Sequence, residues 1–372
     1  MKQLTIFMRN LDMGGAERIL IDYLNQFDRT KFRVRLVLHT KTGILLKDVP
    51  NDVPIFSVLP ENKGIIAKII HGVFKRLIFF FPGILSVLFK IRFGKSDVAV
   101  SFLEGVSTRI AALSSANKKV AWIHTDVVLN PWADRYYVTL KQEAREYNKF
   151  DELVFVSESG MSSFQNKFPE VTSKMSIIHN PVDMRMVAIK STKFDENFEK
   201  WRSQTAGTFR IVSVGRLDPI KRFDLLLNAY KHIQQIEFSL TIIGDGAEMN
   251  ELLEMSNDVE NVYLLGQKNN PIPYVKNSDL YVNTSEVESY PTSVVEALLL
   301  EVPVLGVKNG GNEEVLGASQ FGRLMLHSAN AKEIADAIIE MKAAPESWQE
   351  KAKLGRQKII DEDPLSSYEL VF

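Results

Sequence analysis

Asp279-Leu280-Tyr281-Val282-Asn283, followed by Glu288-Ser289-Tyr290-Pro291-Thr292-Ser293-Val294-Val295-Glu296 and Ala297-Leu298-Leu299-Leu300, is the stretch that decides the fold of this chain. The first run reads as a short apolar strand and the last as a helix, so the turn between them opens at the strand's carboxyl end. Pro291 fits the first turn of that helix, where a missing N–H costs nothing and φ is already near the helical value. A helix starting there leaves the amides of Thr292, Ser293 and Val294 unpaired beyond the strand end, a backbone anion site that the helix dipole reinforces. Glu288 lies in the loop beside whatever the anion carries, and Glu296, one turn into the helix, can reach a ribose diol. A nucleotide-sugar would use both carboxylates as acceptors for its hydroxyls. An ordinary helix start with acidic residues placed for the dipole gives the same pattern.

Outward from this unit, short apolar runs alternate with helical patterns along the whole chain, which argues for parallel βαβ units. Strands are predicted at Leu4–Met8, Val34–His39, Asp97–Phe102, Lys119–Ile123, Glu152–Val156 and Ser176–Ile178, with helices at Ala16–Phe27, Val106–Ala116, Ala133–Tyr147 and Gly160–Lys167. A second set of strands starts at Phe209–Val214 and continues near Ser239–Ile243, Val262–Leu265, Asp279–Val282 and Val304–Gly306. The charged stretch Met184–Gly207 lacks strand alternation and reads as the connection. The expectation is α/β: two Rossmann-like domains, residues 1–182 and 183–350, facing each other across a cleft, with 351–372 and the helix-like Trp348–Ile360 packing back on the first domain. Ligands of such sheets bind beyond the carboxyl ends of the strands.

The other candidate residues lie at such ends. In Asn10-Leu11-Asp12-Met13-Gly14-Gly15-Ala16-Glu17 two adjacent glycines precede a helix and allow close backbone approach, although neither the G-x-G-x-x-G nor the G-x-x-x-x-G-K-[ST] spacing is present. Ser213-Val214-Gly215-Arg216-Leu217-Asp218-Pro219-Ile220-Lys221 places Arg216 and Lys221 on one turn, where they can clamp a pyrophosphate; a solvated basic loop is the alternative. Ile242-Ile243-Gly244-Asp245-Gly246 reads as structural, whereas the backbone at Leu264-Leu265-Gly266-Gln267 could meet a nucleobase edge. His124 follows the strand Val120-Ala121-Trp122-Ile123, and the histidines show no metal-ligand spacing.

At 372 residues, with 45% hydrophobic and 24% charged residues, the chain is long enough for two globular domains. A net charge of −1 and the missing recognition motifs give no sign of a nucleic-acid partner. Cysteine is absent, which excludes disulfides and a thiol nucleophile and suits a reducing cytoplasm. Met1-Lys2-Gln3-Leu4-Thr5-Ile6-Phe7-Met8 reads as a strand rather than a signal peptide. Residues 62–96 are locally different, with seven basic residues, no acidic one, and an apolar run Leu77–Phe89 of 13 residues broken by Pro82-Gly83. That run is too short to span a bilayer and fits a segment lying on an anionic membrane surface, or else a pair of core helices whose lysines snorkel.

Together these residues resemble the retaining glycosyltransferases of family 4, which have the GT-B fold. The likeness covers nearly the whole chain. It is strongest over Val212–Leu316, with the E-x7-E element Glu288 to Glu296, Val302-Pro303-Val304 and Gly310-Gly311-Asn312-Glu313-Glu314-Val315-Leu316; Gly14-Gly15-Ala16-Glu17, Trp122-Ile123-His124 and Phe155-Val156-Ser157-Glu158-Ser159 agree less closely. Ser289 stands where the family more often has Gly. The resemblance implies a nucleotide-sugar, with UDP favoured, bound by the second domain through Gly266, Tyr290, Pro291, Thr292, Ser293 and Glu296, with Glu296 on ribose. Arg216 and Lys221 would neutralise the diphosphate, and Glu288 would hold donor-sugar hydroxyls. His124 would sit near the sugar, where Gly15 lets the first loop approach. It further implies no metal or other cofactor, a glycan or lipid-linked acceptor, and a cytoplasmic enzyme held peripherally at the inner membrane face for capsule, exopolysaccharide or other envelope glycan synthesis. A soluble or protein acceptor, a GT-B nucleotide-sugar epimerase and an inactive GT-B partner subunit remain open.

Overall fold

The computed structural model describes residues 1–12, 14–233, 237–362, 368 and 371–372. It divides into two compact units, Met1–Pro181 with Pro364–Phe372, and Val182–Asp363. The first unit carries β1 (Lys2–Met8), β2 (Phe32–Thr40), β3 (Ile55–Leu59), β4 (Lys95–Ser101), β5 (Ser115–Ile123), β6 (Glu152–Phe155) and β7 (Lys174–Ile177), in the order β3-β2-β1-β4-β5-β6-β7. The second carries β8 (Phe209–Val214), β9 (Phe238–Ile243), β10 (Val262–Leu264), β11 (Leu280–Asn283), β12 (Val304–Val307) and β13 (Arg323–Met325), in the order β10-β9-β8-β11-β12-β13. Every pairing is parallel; β1 sets Ile6 between Leu36 and Val100, and β8 sets Ile211 between Leu240 and Leu280. Helices cover both faces of such a sheet, which is why its strands read as continuous apolar runs such as the buried Leu4–Met8.

Strand order reverses between β1 and β4 in the first sheet and between β8 and β11 in the second. Connections leave these neighbours in opposite directions, so a crevice opens beyond their carboxyl ends. The loops after β8 and β11 hold Arg216, Lys221 and Glu288; the loop after β1 leads into a helix that begins at Gly15, and the loop after β4 holds Glu104.

Several expectations are corrected. The helix expected over Val106–Ala116 ends at Ala112, because Ser115 and Ala116 already pair with Lys95 and Ser96 as the start of β5. The helix expected over Ala133–Tyr147 is a 3-10 turn, Asp134–Tyr136, then a helix over Leu140–Tyr147 whose cap, Thr139, accepts from the Gln142 amide. Met184–Gly207 is no loose connection: it forms helices Met184–Ser191 and Glu196–Gln204, capped by Asp183 and Asp195. Trp201 is buried there and donates to the Thr241 hydroxyl at 2.8 Å. Edge strands β3 and β13 were not anticipated, being short and only partly buried.

The C-terminal stretch, expected as one piece, divides. Helix Pro345–Glu362 belongs to the second unit, where it packs on helix Thr292–Leu299 and places Trp348 in that core. Tyr368 and Phe372 are buried in the first unit, with ring centroids 5.1 Å and 5.7 Å from that of Trp122.

Candidate active site

The loop after β8 is fixed by its neighbours. Gly215 donates to Ile243 O at 3.0 Å, Leu217 to Asp245 O at 3.0 Å, and Glu248 to Leu217 O at 3.0 Å. The glycines of Gly244-Asp245-Gly246 are needed for this support: a Cβ at Gly244 (φ 156°) would lie 1.8 Å from Gly215 O, and one at Gly246 2.4 Å from Leu217 O. The loop ends in Arg222, a left-handed residue at φ 53°, beyond Lys221. Thr284, from the loop after β11, donates its hydroxyl to Lys221 O at 3.1 Å and Arg222 O at 2.8 Å, while the Glu286 amide donates to Ile220 O at 2.8 Å. The two loops are therefore stitched together across the switch point.

There Lys221 Nζ meets Glu288 Oε1 at 2.6 Å, with the side chains only 25% and 13% exposed. Ser285 donates to the same carboxylate oxygen at 2.8 Å, and Asn283 Nδ2 lies 3.5 Å from it. Beneath them Asn312 donates to Asn283 Oδ1 at 3.0 Å and to Val307 O at 2.7 Å, and Asn309 donates to Ser285 O at 2.8 Å. Gly311 donates to Glu288 O at 2.9 Å, and a Cβ on it would stand 2.8 Å from both that oxygen and Pro291 Cδ. Asn283, Ser285, Asn309 and Asn312 were not singled out from the sequence. The signal available was the polar run Asn283-Thr284-Ser285 directly after an apolar strand; all three are buried, so solvent does not explain them.

Helix Thr292–Leu299 begins one residue later than expected, because Pro291 is its extended N-cap (φ −76°, ψ 95°). Val294 and Val295 both donate to Pro291 O, at 3.0 and 3.1 Å, so the Val294 amide is used inside the helix. Thr292 and Ser293 supply the amides of the open end. Tyr290 and Pro291 are buried, and burial raises the Tyr290 phenol's pKa, with Glu362 and Glu314 nearby. Thr292, Ser293 and Glu296 are half-buried on one helix face. Gly266 has φ 65° and accepts from the Gly244 amide at 3.1 Å. Arg216 is 67% exposed and turns its guanidinium to Asp218 rather than toward Lys221.

In the first unit, Gly15 is the exposed first residue of helix Gly15–Gln26, and a Cβ there would meet nothing within 4 Å. Packing within the unit does not require that glycine. His124, after β5, is 9% exposed and lies against Phe102 with ring centroids 5.1 Å apart. Neither ring nitrogen makes a hydrogen bond of normal geometry, and burial lowers the imidazole's pKa to about 3. It is therefore neutral at physiological pH, so it can offer hydrogen bonds but not a charge. Beneath it lies Glu104, in the loop after β4 and fully buried, which the sequence reading missed. Its carboxyl accepts the His124 amide at 3.1 Å, Trp132 Nε1 at 3.1 Å and the Thr125 hydroxyl. Burial raises its pKa, and these donors oppose the shift. A lone acidic residue closing the apolar run Val98–Leu103 was the signal.

Residues 194–358 match the model of the family described as glycosyl transferases group 1. A Campylobacter jejuni protein, N-acetylgalactosamine-N,N'-diacetylbacillosaminyl-diphospho-undecaprenol 4-alpha-N-acetylgalactosaminyltransferase, is 24% identical over 87% of this chain and 86% of its own length. An uncharacterized glycosyltransferase of Methanocaldococcus jannaschii is 26% identical, but its match spans 55% of this chain and about half, 52%, of that protein. Among solved structures, Anabaena HepE in complex with UDP-glucose superposes with a TM-score of 0.75 at 18% identity, covering 100% of this chain and 98% of HepE, a likeness of fold. Residues 194–358, somewhat under half of the chain, thus resemble the glycosyl transferases of group 1, and with its two reversed parallel sheets the chain has the GT-B fold.

Proposed function

We propose that this chain is a retaining glycosyltransferase of family 4 that moves a sugar from a UDP-sugar to a lipid-linked glycan, in capsule, exopolysaccharide or other envelope glycan synthesis at the inner face of a bacterial membrane. The observation that carries the reading is the Lys221–Glu288 pair at the switch point, beside the open end of helix Thr292–Leu299. A nucleotide-sugar offers an exchange partner to each member. Its diphosphate takes Lys221, and its sugar hydroxyls take Glu288, which Ser285 and Asn283 hold in place. The amides of Thr292 and Ser293 face the phosphate, Glu296 accepts from ribose, and Gly266 lets the base approach the backbone. Arg216 leaves Asp218 to join the diphosphate. No nucleophile from the enzyme is needed: the acceptor hydroxyl forms the new glycosidic bond as the sugar–phosphate bond breaks, its proton passes to the departing diphosphate, and the rate comes from stabilising the charge that develops there. The two cations and the helix end meet that charge in place of a metal. His124 hydrogen-bonds the sugar as a neutral imidazole. The Campylobacter relative's diphospho-undecaprenol substrate supports a lipid-linked acceptor, and the UDP-glucose bound by HepE supports the donor class.

The test is a panel of UDP-, GDP- and ADP-sugars with undecaprenyl-diphosphate-linked glycans. Transfer from a UDP-sugar to the lipid-linked acceptor, with the anomeric configuration retained, is the expected result. Release of a free sugar epimer would move the assignment to an epimerase. Silence with every donor, together with no UDP binding, would reduce the chain to an inactive subunit.

A further inference from the structure

In the first unit, helices Gly64–Phe80 and Pro82–Phe93 are bent against each other by 116° at Phe81. Each turns one narrow stripe inward: Ala67, Phe74 and Ile78 from the first, Leu85, Phe89 and Phe93 from the second. A soluble surface helix is polar on its remaining circumference. These are not. Ile65 is 78% exposed, Ile66 76%, Phe80 70% and Ile91 77%, and Ile69, Phe81 and Val87 are exposed as well. That exposure argues against a pair of fully buried core helices with snorkelling lysines.

The charge around this apolar surface is of one sign. Of the seven basic residues between Asn62 and Ser96, Lys63 pairs with Glu61 at 2.6 Å and Arg92 donates to Ser57 O at 2.7 Å. Lys68, Lys75, Arg76 and Lys90 are exposed, with no ion pair among the described residues. Lys68 and Lys75, two helical turns apart, line one border of the outward apolar face. The pair is also held firmly. Buried Arg109 donates to Ile78 O and, at 2.6 Å, to Tyr136 O, with Phe79 stacked 4.5 Å from its guanidinium; Ser86 donates to Leu113 O at 3.0 Å. A fixed apolar face with unpaired cations at its border complements a surface that is apolar inside and anionic outside.

We propose that these two helices form a monotopic docking face for an anionic lipid bilayer. The face lies at headgroup level with Ile65, Ile66, Ile69 and Phe80 inserted and the four free cations on lipid phosphates. Neither helix alone is long and apolar enough to cross a bilayer, and the two pass that length only as a pair bent by 116° whose buried stripes hold them to the core, so the proposed insertion is shallow. The inference deepens the lipid-linked-acceptor reading and rests on it for its purpose, but binding itself requires neither donor nor acceptor.

The experiment is flotation of the full chain with vesicles of phosphatidylcholine alone or with phosphatidylglycerol added, at low and high salt. Wild type floats with the anionic vesicles at low salt, and less at high salt. The quadruple variant Lys68→Ser, Lys75→Ser, Arg76→Ser, Lys90→Ser loses roughly tenfold or more in partitioning. Ile66→Gln with Phe80→Gln also loses binding while keeping the thermal melt and UDP binding of wild type. Wild type that stays out of anionic vesicles at low salt overturns the proposal. So does a wild-type dimer that the Ile66→Gln, Phe80→Gln variant dissolves, which would make the face a protein interface. Vesicle binding without transfer from any donor would leave the docking face standing and sink the functional reading; transfer without vesicle binding would do the reverse.

Discussion

Lys221 and Glu288, 2.6 Å apart in half-buried loops, form the most consequential pair in the second unit. In the structure each is the other's counter-ion, so removing one leaves the other poorly compensated. Lys221→Ala is expected to lower kcat by roughly 10²-fold or more, as loss of a transition-state charge donor does. Near-normal turnover in the folded variant would take Lys221 out of the reaction. Glu104 is the corresponding residue of the first unit, accepting from His124, Trp132 and Thr125. Glu104→Ala leaves the His124 amide and the Trp132 indole N–H without their acceptor, and is expected to cost about 1–3 kcal/mol of stability. On the proposed role of His124, Glu104 fixes its backbone, so kcat should fall while the Kd for UDP, measured by calorimetry, is unchanged. A matching loss of UDP affinity would contradict that role.

At the scale of elements, helix Leu140–Tyr147 carries a group whose cost depends on pH. Burial, with help from the Asp134 charge, raises the Glu143 carboxyl from its ordinary 4.5 to about 7. Below pH 4.5 it is protonated in both folded and unfolded chains. As pH rises to 7 the unfolded chain gives up the proton while the folded one keeps it, so stability falls through that window, by up to roughly 3 kcal/mol. His124 works in the opposite sense, since its pKa of about 3 makes stability fall as pH drops below 6.5. Glu143→Gln should therefore stabilise the protein at pH 8 and have little effect at pH 4.5, read as the difference between urea melts of variant and wild type. An equal effect at both pH values would mean that Glu143 is not titrating. The same scale shows why helix ends were harder to read than helix centres. Val106–Ala112 could continue on propensity alone, but pairing of Ser115 with Lys95 captures the next residues for β5.

On the scale of the whole molecule, each unit has its own sheet and its own core. Tyr368 is fully buried in the first unit, with ring centroids 4.6 Å from that of Tyr23 and 5.1 Å from that of Trp122. Tyr368→Ala empties that space and is expected to cost roughly 3 kcal/mol, lowering the Tm of the first unit while the transition of the second, which the proposed UDP binding would raise, stays in place. Calorimetry with and without UDP separates the two. A drop in the second transition of the same size would show that the tail's contribution is not confined to the first unit.

By itself the sequence determined the α/β class, most strand positions and the E-x7-E turn, because continuous apolar runs and helix starts are local patterns set by backbone geometry. It also marked residues 62–96 by composition. Tertiary structure alone decided that Lys221 and Glu288 are partners, since that depends on β8 and β11 becoming neighbours across 67 residues. It also decided that Asn283, Asn309 and Asn312 form the floor under them, and that Glu104 underlies His124. Finally it decided that the Ile- and Phe-rich helices stay exposed, because a helix buries only the stripe that its neighbours can reach, and nothing in a local window reveals which neighbours those will be.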